Sequence, residues 1–203
     1  FPELFKKNDL YQLVNWTKYS VKNASVVFTI SRASKNDIIE VYKVPENKVV
    51  VTYPGIKPIL DIKYQNSKMS EPYILFVGTL QPRKNITRLV EAFSKIKPNH
   101  PDLKLVIAGK KGWQYGEILE SPKKFAVSES VEFLDFVKDE EMSEPYKNAL
   151  CFVLPSLYEG FGLPVLEAMK YGCPVIISNV SSLPEAGGDA ALYVDPQSPD
   201  DIA

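Results

Sequence analysis

The sequence predicts an α/β protein: a doubly wound, Rossmann-like parallel sheet over residues 73–203, preceded by a partial N-terminal α/β domain. Three observations carry that expectation. Short, continuously apolar runs at Tyr73–Val77, Leu103–Ala108, Val131–Leu134, Leu150–Leu154, Pro174–Ile177 and Ala191–Val194 suit strands buried on both faces. Amphipathic stretches lie between them, at Ile86–Ile96, Tyr115–Val127, Glu140–Asn148, Pro164–Tyr171 and, shorter, Leu183–Ala186. Regular alternation of the two implies parallel strands joined by helical crossovers.

Residues 1–57 form a shorter alternating unit. Leu10, Leu13, Val14 and Val21 recur at helical spacing within Asp9–Lys22, and Ser25–Ile30 is a β-branched strand. Ser34-Lys35-Asn36-Asp37 resembles a capping box and is expected to start a helix through Tyr42. Lys48–Thr52 is a further strand, ended by Pro54-Gly55. Two strands and two helices cannot bury a stable core alone, so this unit is expected to be the tail of a larger domain. Residues 58–72, with Pro58, Asn66 and Ser67, lack periodicity and read as a linker. The chain opens on Phe1 without a methionine and stops at Asp200-Asp201-Ile202-Ala203, where a helix is starting; both ends are expected to be cut.

With 203 residues, 45% hydrophobic and 24% charged, the composition is that of a soluble globular protein. A formal net charge of −1 gives no nucleic-acid footprint, and Lys110-Lys111 and Lys123-Lys124 read as solvated faces. No apolar run approaches the roughly 18–20 residues of a membrane-spanning helix. Cys151 and Cys173 lie in apolar runs and read as buried thiols; neither a disulfide framework nor a metal-ligand set is present in the sequence. Asn-x-Ser/Thr sites at Asn15, Asn23, Asn85 and Asn179 are read as chance matches in a cytoplasmic protein.

Sheets of this kind bind ligands beyond the carboxyl ends of their strands, which selects loops 78–85, 109–114, 135–139, 155–163 and 178–184. The most informative stretch is Tyr158–Met169. Gly160 and Gly162 flank Phe161 and let backbone approach a ligand, while Pro164 is tolerated in a first helical turn. The amides of the helix start attract anions, and Glu167 suits the positive end of the helix dipole. Amides for phosphate, with Glu159 and Glu167 for hydroxyls, describe a site for a sugar nucleotide. The same two glutamates also read as an acid–base pair, or as plain loop and helix carboxylates. Gly78-Thr79-Leu80-Gln81-Pro82-Arg83-Lys84-Asn85 follows the first strand of the sheet. There Arg83 offers a fork and Lys84 a point charge to a diphosphate; a solvated basic loop is the alternative. His100 lies in a loop away from this edge and is expected to be a solvated loop residue without a catalytic part.

These residues carry a family resemblance. Glu159-Gly-Phe-Gly-Leu-Pro-Val-Leu-Glu167-Ala-Met resembles the E-x7-E signature of retaining glycosyltransferases of family four, which have the GT-B fold. Phe76–Asn85, Val106–Gly109, Val131–Leu134, Pro174–Asn179, Ser182–Glu185 and Gly188–Pro196 extend the likeness in the expected order. The resemblance implies that 73–203 is the nucleotide-sugar (donor) binding domain, truncated at its C-terminus, and that 1–57 ends the acceptor-side domain. It implies that Glu167 holds the ribose hydroxyls and that Glu159 touches the donor sugar, beside the amides of Phe161, Gly162 and Leu163. Gly78 and Thr79 belong to the donor loop, Arg83 and Lys84 neutralise the diphosphate from across the cleft mouth, and the backbone near Val137 meets the base. Asp139 reads as a base contact or, equally, as a helix cap.

The resemblance further implies transfer with retention of configuration, the departing phosphate helping to take the acceptor proton. It requires no metal and no cofactor beyond the GDP- or UDP-linked donor. The subfamily pattern resembles mannosyl- and rhamnosyltransferases of surface-polysaccharide synthesis. That makes GDP-mannose the first expected donor, with a saccharide or lipid-linked acceptor and peripheral association of the full-length enzyme with the inner face of the membrane. Thr79 stands where many members carry arginine, with Arg83 expected to take over its charge. The family's N-terminal glycine-rich loop and histidine are not in this sequence. The fragment is therefore expected to bind donor and to transfer sugar poorly. A non-catalytic nucleotide-binding or scaffold protein, and a sugar-nucleotide epimerase of similar fold, remain open alternatives.

Overall fold

The computed structural model describes residues 7–56, 71–138 and 141–203, the side chains of residues 7–9 aside. Contacts within the chain divide it into two units, Phe1–Gly55 and Ile56–Ala203. Residues 57–70, most of the expected linker, lie outside the described residues, as do Asp139 and Glu140.

The first unit contains helix α1 (Lys7–Asn23), strand β1 (Val27–Thr29), helix α2 (Arg32–Tyr42) and strand β2 (Val49–Val51). β1 and β2 pair in parallel, Phe28 opposite Val50. Val21, Val44 and Val49 form a small core with Val27, Ile38, Ile39 and Tyr42. The cap of α2 is Ser31, three residues before the expected Ser34. Ser31 has extended backbone, and its hydroxyl accepts from the Ser34 amide at 3.0 Å. Ser34 therefore supplies one of the unpaired N–H groups of the first turn instead of capping it.

The second unit is built on one six-stranded sheet. Its strands are β3 (Tyr73–Val77), β4 (Lys104–Ala108), β5 (Val131–Leu134), β6 (Cys151–Leu154), β7 (Val175–Ser178) and β8 (Ala191–Val194). The order is β5-β4-β3-β6-β7-β8, and every pairing is parallel. Helices α3 (Ile86–Ile96), α4 (Gly116–Lys124), α5 (Ser143–Asn148), α6 (Leu163–Lys170) and α7 (Leu183–Gly187) form the crossovers, and α8 (Pro199–Ile202) follows β8. Leu75, Phe76, Leu105, Ile107, Phe152, Leu154 and Ile177 are completely buried in the sheet. Ile86, Leu89, Val90 and Phe93 bring the apolar face of α3 onto it. Each such side chain contributes about 1.5–3 kcal/mol of burial free energy, which explains why continuous apolar runs become strands here.

α4 ends before the expected Val127. Pro122 has no N–H for the carbonyl of Ile118, which accepts from the Ser121 hydroxyl at 2.7 Å instead. Ala126 then turns left-handed (φ 56°), with Ala126 N–H donating to Lys123 O and Val127 N–H to Pro122 O. That pattern closes a helix. α5 starts at Ser143; the expected start at Glu140 lies outside the described residues.

Cys173 is buried and Cys151 partly so; burial, then the neighbouring Cys173, pushes the Cys151 thiol up to about 11. No helix among the described residues is long and apolar enough to cross a membrane.

The strand order matters for function. The chain winds outward from β3 through β4 to β5, then returns past β3 to lay down β6. The connections therefore diverge between β3 and β6, and such a switch point opens a crevice at the carboxyl ends of the strands.

Candidate active site

The loops that leave β3 and β6 meet at that crevice. Gly109 packs so tightly on the end of β3 that a Cβ there would lie 2.0 Å from the Gly78 carbonyl oxygen. A methyl group at Gly78 itself would meet Lys84 Cε at 3.4 Å, so Gly78 leaves the lane along which the lysine runs. Pro82–Lys84 form one 3-10 turn, and Asn85 ends it in left-handed conformation (φ 60°). The Asn85 amide nitrogen donates to Pro155 O at 2.9 Å and to Pro196 O at 2.7 Å, while its oxygen accepts from Arg88 at 2.6 Å. Buried Asn85 thereby ties the ends of β3, β6 and β8 together. Its amide already donates twice, so the sequon at Asn85 is a structural asparagine.

This anchoring turns Lys84 inward. Lys84 is 8% exposed and Glu159 only 6%. Lys84 Nζ donates to Glu159 Oε1 at 2.6 Å, and Arg83 Nη1 lies 3.0 Å from Glu159 Oε2. Arg83 Nη1 also donates to Tyr158 O, and Leu157 N–H donates to Arg83 O at 2.9 Å. The two cations and the carboxylate, expected on opposite sides of a cleft mouth, are in direct contact. Their cluster carries one net positive charge.

Glu159 is held from three further directions. Ser156 Oγ donates to its Oε1 at 2.7 Å, its N–H donates to Ser181 Oγ at 2.9 Å, and Ser182 Oγ donates to its carbonyl at 2.8 Å. Burial by itself raises the carboxyl's pKa. The charges of Lys84 and Arg83, with the hydrogen bonds from Lys84 and Ser156, outweigh burial and hold it below the ordinary value.

Gly162 opens α6 at φ 104°, beside Leu183 and Val165, and no side chain caps this helix start. Phe161 is buried and Leu163 exposed. Glu167, half-buried in the second turn of α6, accepts from the Tyr146 hydroxyl through Oε2 at 3.1 Å. Thr79 is exposed on the β3 loop, and Val137 is half-buried beyond β5, two strands away from β3. Near Val137, Lys110 lies over the exposed ring of Phe136, 4.1 Å from its centroid. His100 is exposed, lining a shallow pocket with Pro72 and Cys151 at the start of the strands, the opposite end of the sheet. Among the described residues, no group of three or more His, Cys, Asp or Glu is arranged to hold a metal ion.

The family model described as glycosyl transferases group 1 matches residues 60–203. This chain belongs to that family. The chain is 34% identical to the O-antigen chain mannosyltransferase B of Escherichia coli, over all of this chain and 56% of the relative. It is 36% identical to an uncharacterized glycosyltransferase of Methanocaldococcus jannaschii, over 87% of this chain and 48% of the relative. The chain thus spans about half the length of the curated relatives it matches. A solved sucrose-phosphate synthase from Thermosynechococcus elongatus superposes with a TM-score of 0.77 at 25% identity, over 97% of this chain and 51% of that one. Anabaena HepE, solved in complex with UDP-glucose, superposes at 0.81 with 20% identity, over all of this chain and 58% of that one. These neighbours are glycosyltransferases of the GT-B type, and the parallel α/β architecture of this chain is theirs.

Sequence reasoning missed the residues that hold the glutamates. Ser182 occupies the N-cap position before Leu183-Pro184, yet its hydroxyl goes to Glu159 O and makes no cap bond. Ser181, left-handed at φ 54°, and Ser156 carry no local signal of their role. Tyr146 reads as a core aromatic, though a buried phenol needs a partner, and that requirement was the available signal.

Proposed function

We propose that this chain is the donor-binding half of a retaining glycosyltransferase that uses GDP-mannose in the synthesis of a surface polysaccharide, acting on a saccharide or lipid-linked acceptor. The observation that carries the reading is the junction of Arg83, Lys84 and Glu159 at the switch point between β3 and β6. A cluster with one surplus positive charge suits a diphosphate. Lys84 gives one of its three N–H groups to Glu159, and Arg83 uses Nη1 on Tyr158 and Glu159. The remaining ammonium N–H groups and the other edge of the guanidinium are then the donors offered to phosphate oxygens.

As the bond between the sugar and the diphosphate breaks, its electron pair goes to the leaving phosphate oxygen. Fixed cations beside that oxygen stabilise the growing charge without reorganising, and protein cations can do this without a metal. Retention follows if the acceptor hydroxyl enters on the face the diphosphate leaves and passes its proton to the phosphate. Glu159, kept ionised by its two cations, serves as a hydrogen-bond acceptor for the donor sugar rather than as an acid. Glu167 accepts from the ribose hydroxyls. The preference for mannose rests on the similarity to the Escherichia coli O-antigen mannosyltransferase.

Titration calorimetry with GDP, UDP, ADP and their sugar conjugates tests the reading. Selective binding of GDP-mannose, lost in Glu167→Ala, is the expected result. Tighter binding of a UDP-sugar would reassign the donor, and no binding to any nucleotide would sink the site. Incubation with donor alone separates an epimerase, which would isomerise the sugar, from a transferase, which leaves it unchanged without acceptor.

A further inference from the structure

Tyr146 is among the most completely buried large side chains of the protein, at 1% exposure. Its ring stacks on Tyr171 (centroids 5.8 Å apart, planes 14° apart) and meets Phe152 edge-on at 5.8 Å and 63°. Phe152 is a central residue of β6, and the Tyr171 N–H donates to the carbonyls of Glu167 and Ala168 at the end of α6. The phenol is thus fixed against the strand before the site and the helix that carries Glu167.

From this fixed seat the Tyr146 hydroxyl donates to Glu167 Oε2 at 3.1 Å. Burial, and then the adjacent Glu167 charge, keep the phenol protonated, so it acts toward the carboxylate as a donor. A glutamate held only by solvent samples many rotamers, and a ligand that fixes it must offset the entropy lost in ordering the side chain. A rigid donor on Oε2 removes much of that freedom in advance and fixes the plane in which the carboxylate accepts other hydroxyls.

We infer that Tyr146 is a positioning residue that presets the Glu167 carboxylate for a vicinal diol, so that recognition of the nucleotide ribose depends on a phenol outside the E-x7-E stretch. The inference rests on the ribose role proposed for Glu167. It also predicts what Tyr146 does not do: it has no part in holding the diphosphate, which falls to the Arg83–Lys84 turn.

The test compares GDP with 2′,3′-dideoxy-GDP, and UDP with its dideoxy analogue, by titration calorimetry on the 203-residue chain, Tyr146→Phe and Glu167→Gln. Phenylalanine keeps the aromatic stack and removes only the donor. Tyr146→Phe is expected to weaken the ribonucleotide by about three- to tenfold, the net worth of one ordinary hydrogen bond, and to leave the dideoxy nucleotide within about twofold. Combining it with Glu167→Gln is expected to cost less than the sum of the two single changes. If the parent chain discriminates by the diol but Tyr146→Phe weakens both nucleotides alike, or neither, the positioning role is overturned while the ribose reading stands. If the parent chain shows no preference for the diol, or binds no nucleotide, the ribose reading fails and this inference falls with it. A purely structural role for Tyr146 would move the melting temperature and not the ratio of the two affinities.

Discussion

Lys84 Nζ lies 2.6 Å from Glu159 Oε1, across 75 residues of chain, and both side chains are almost wholly buried. Desolvation disfavours each charge alone, so each depends on the other and on Arg83. Removing Lys84 strands a buried carboxylate whose remaining partners are Arg83 and Ser156. Lys84→Ala is expected to lower stability by about 3 kcal/mol. The double variant Lys84→Met, Glu159→Leu removes both charges and should be less damaging than the sum of the single changes, with a coupling of about 2 kcal/mol. Urea unfolding of the four proteins measures this; strict additivity would mean that the pair does not act as a unit.

The pair also has a pH signature. The folded carboxyl of Glu159 is held below its ordinary value of 4.5. Between the folded and unfolded values the unfolded chain binds the extra proton, so stability rises with pH there. The contribution is complete above the unfolded value and disappears as pH falls through the folded one. Glu159→Gln should therefore flatten the loss of stability on acidification below about 4.5 and leave its slope near neutrality unchanged. Urea midpoints across that acid range provide the check, and an unchanged acid slope would show that Glu159 is not depressed.

How far the sequence leads depends on the range of the interaction. The six strands of the large sheet were legible because buried parallel strands need continuous apolar runs such as Leu105–Ala108 and Phe152–Leu154. Local competition blurred helix ends: Ser31, not the expected Ser34, caps α2, and Pro122 with left-handed Ala126 shortens α4. Glu159, Arg83 and Lys84 stood out by residue type and loop position, and Glu167 by its place near a helix start. Their pairing did not, because the contact between Lys84 and Glu159 is created by sheet order. The anchors Ser182, Asn85 and Tyr146 were hidden for the same reason: each makes a common local pattern serve a distant partner.

Backbone handedness yields an opposed pair of substitutions. Gly162 sits at φ 104°, and an added Cβ would lie 2.8 Å from Leu183 Cδ2. Gly162→Ala should destabilise by about 2 kcal/mol, combining a strained dihedral with a contact against a buried leucine. Ala126 is the reverse case, an L-residue at φ 56° that closes α4. Ala126→Gly should stabilise by up to about 1 kcal/mol, since glycine occupies that region without the Cβ penalty. Thermal melts of both variants test the pair, and a change of the same sign in each would contradict the assigned handedness.

Asn85 joins both arguments, because its left-handed backbone and its side-chain bonds are separable. Asn85→Gly keeps the φ of 60° accessible and loses the bonds to Pro155, Pro196 and Arg88. Asn85→Ala loses the bonds and also pays the left-handed penalty. Each buried bond contributes about 1 kcal/mol, so the glycine variant should lose about 2–3 kcal/mol. The alanine variant should lose about 1 kcal/mol more. Because Asn85 directs the turn that presents Arg83 and Lys84, both variants should weaken GDP binding as well. Under the proposed function that loss should appear equally for GDP and its dideoxy analogue, unlike the diol-specific loss expected of Tyr146→Phe. Calorimetric titration beside chemical unfolding separates the two effects. Full nucleotide affinity in a destabilised Asn85→Gly protein would show that the turn holds its cations without this anchor.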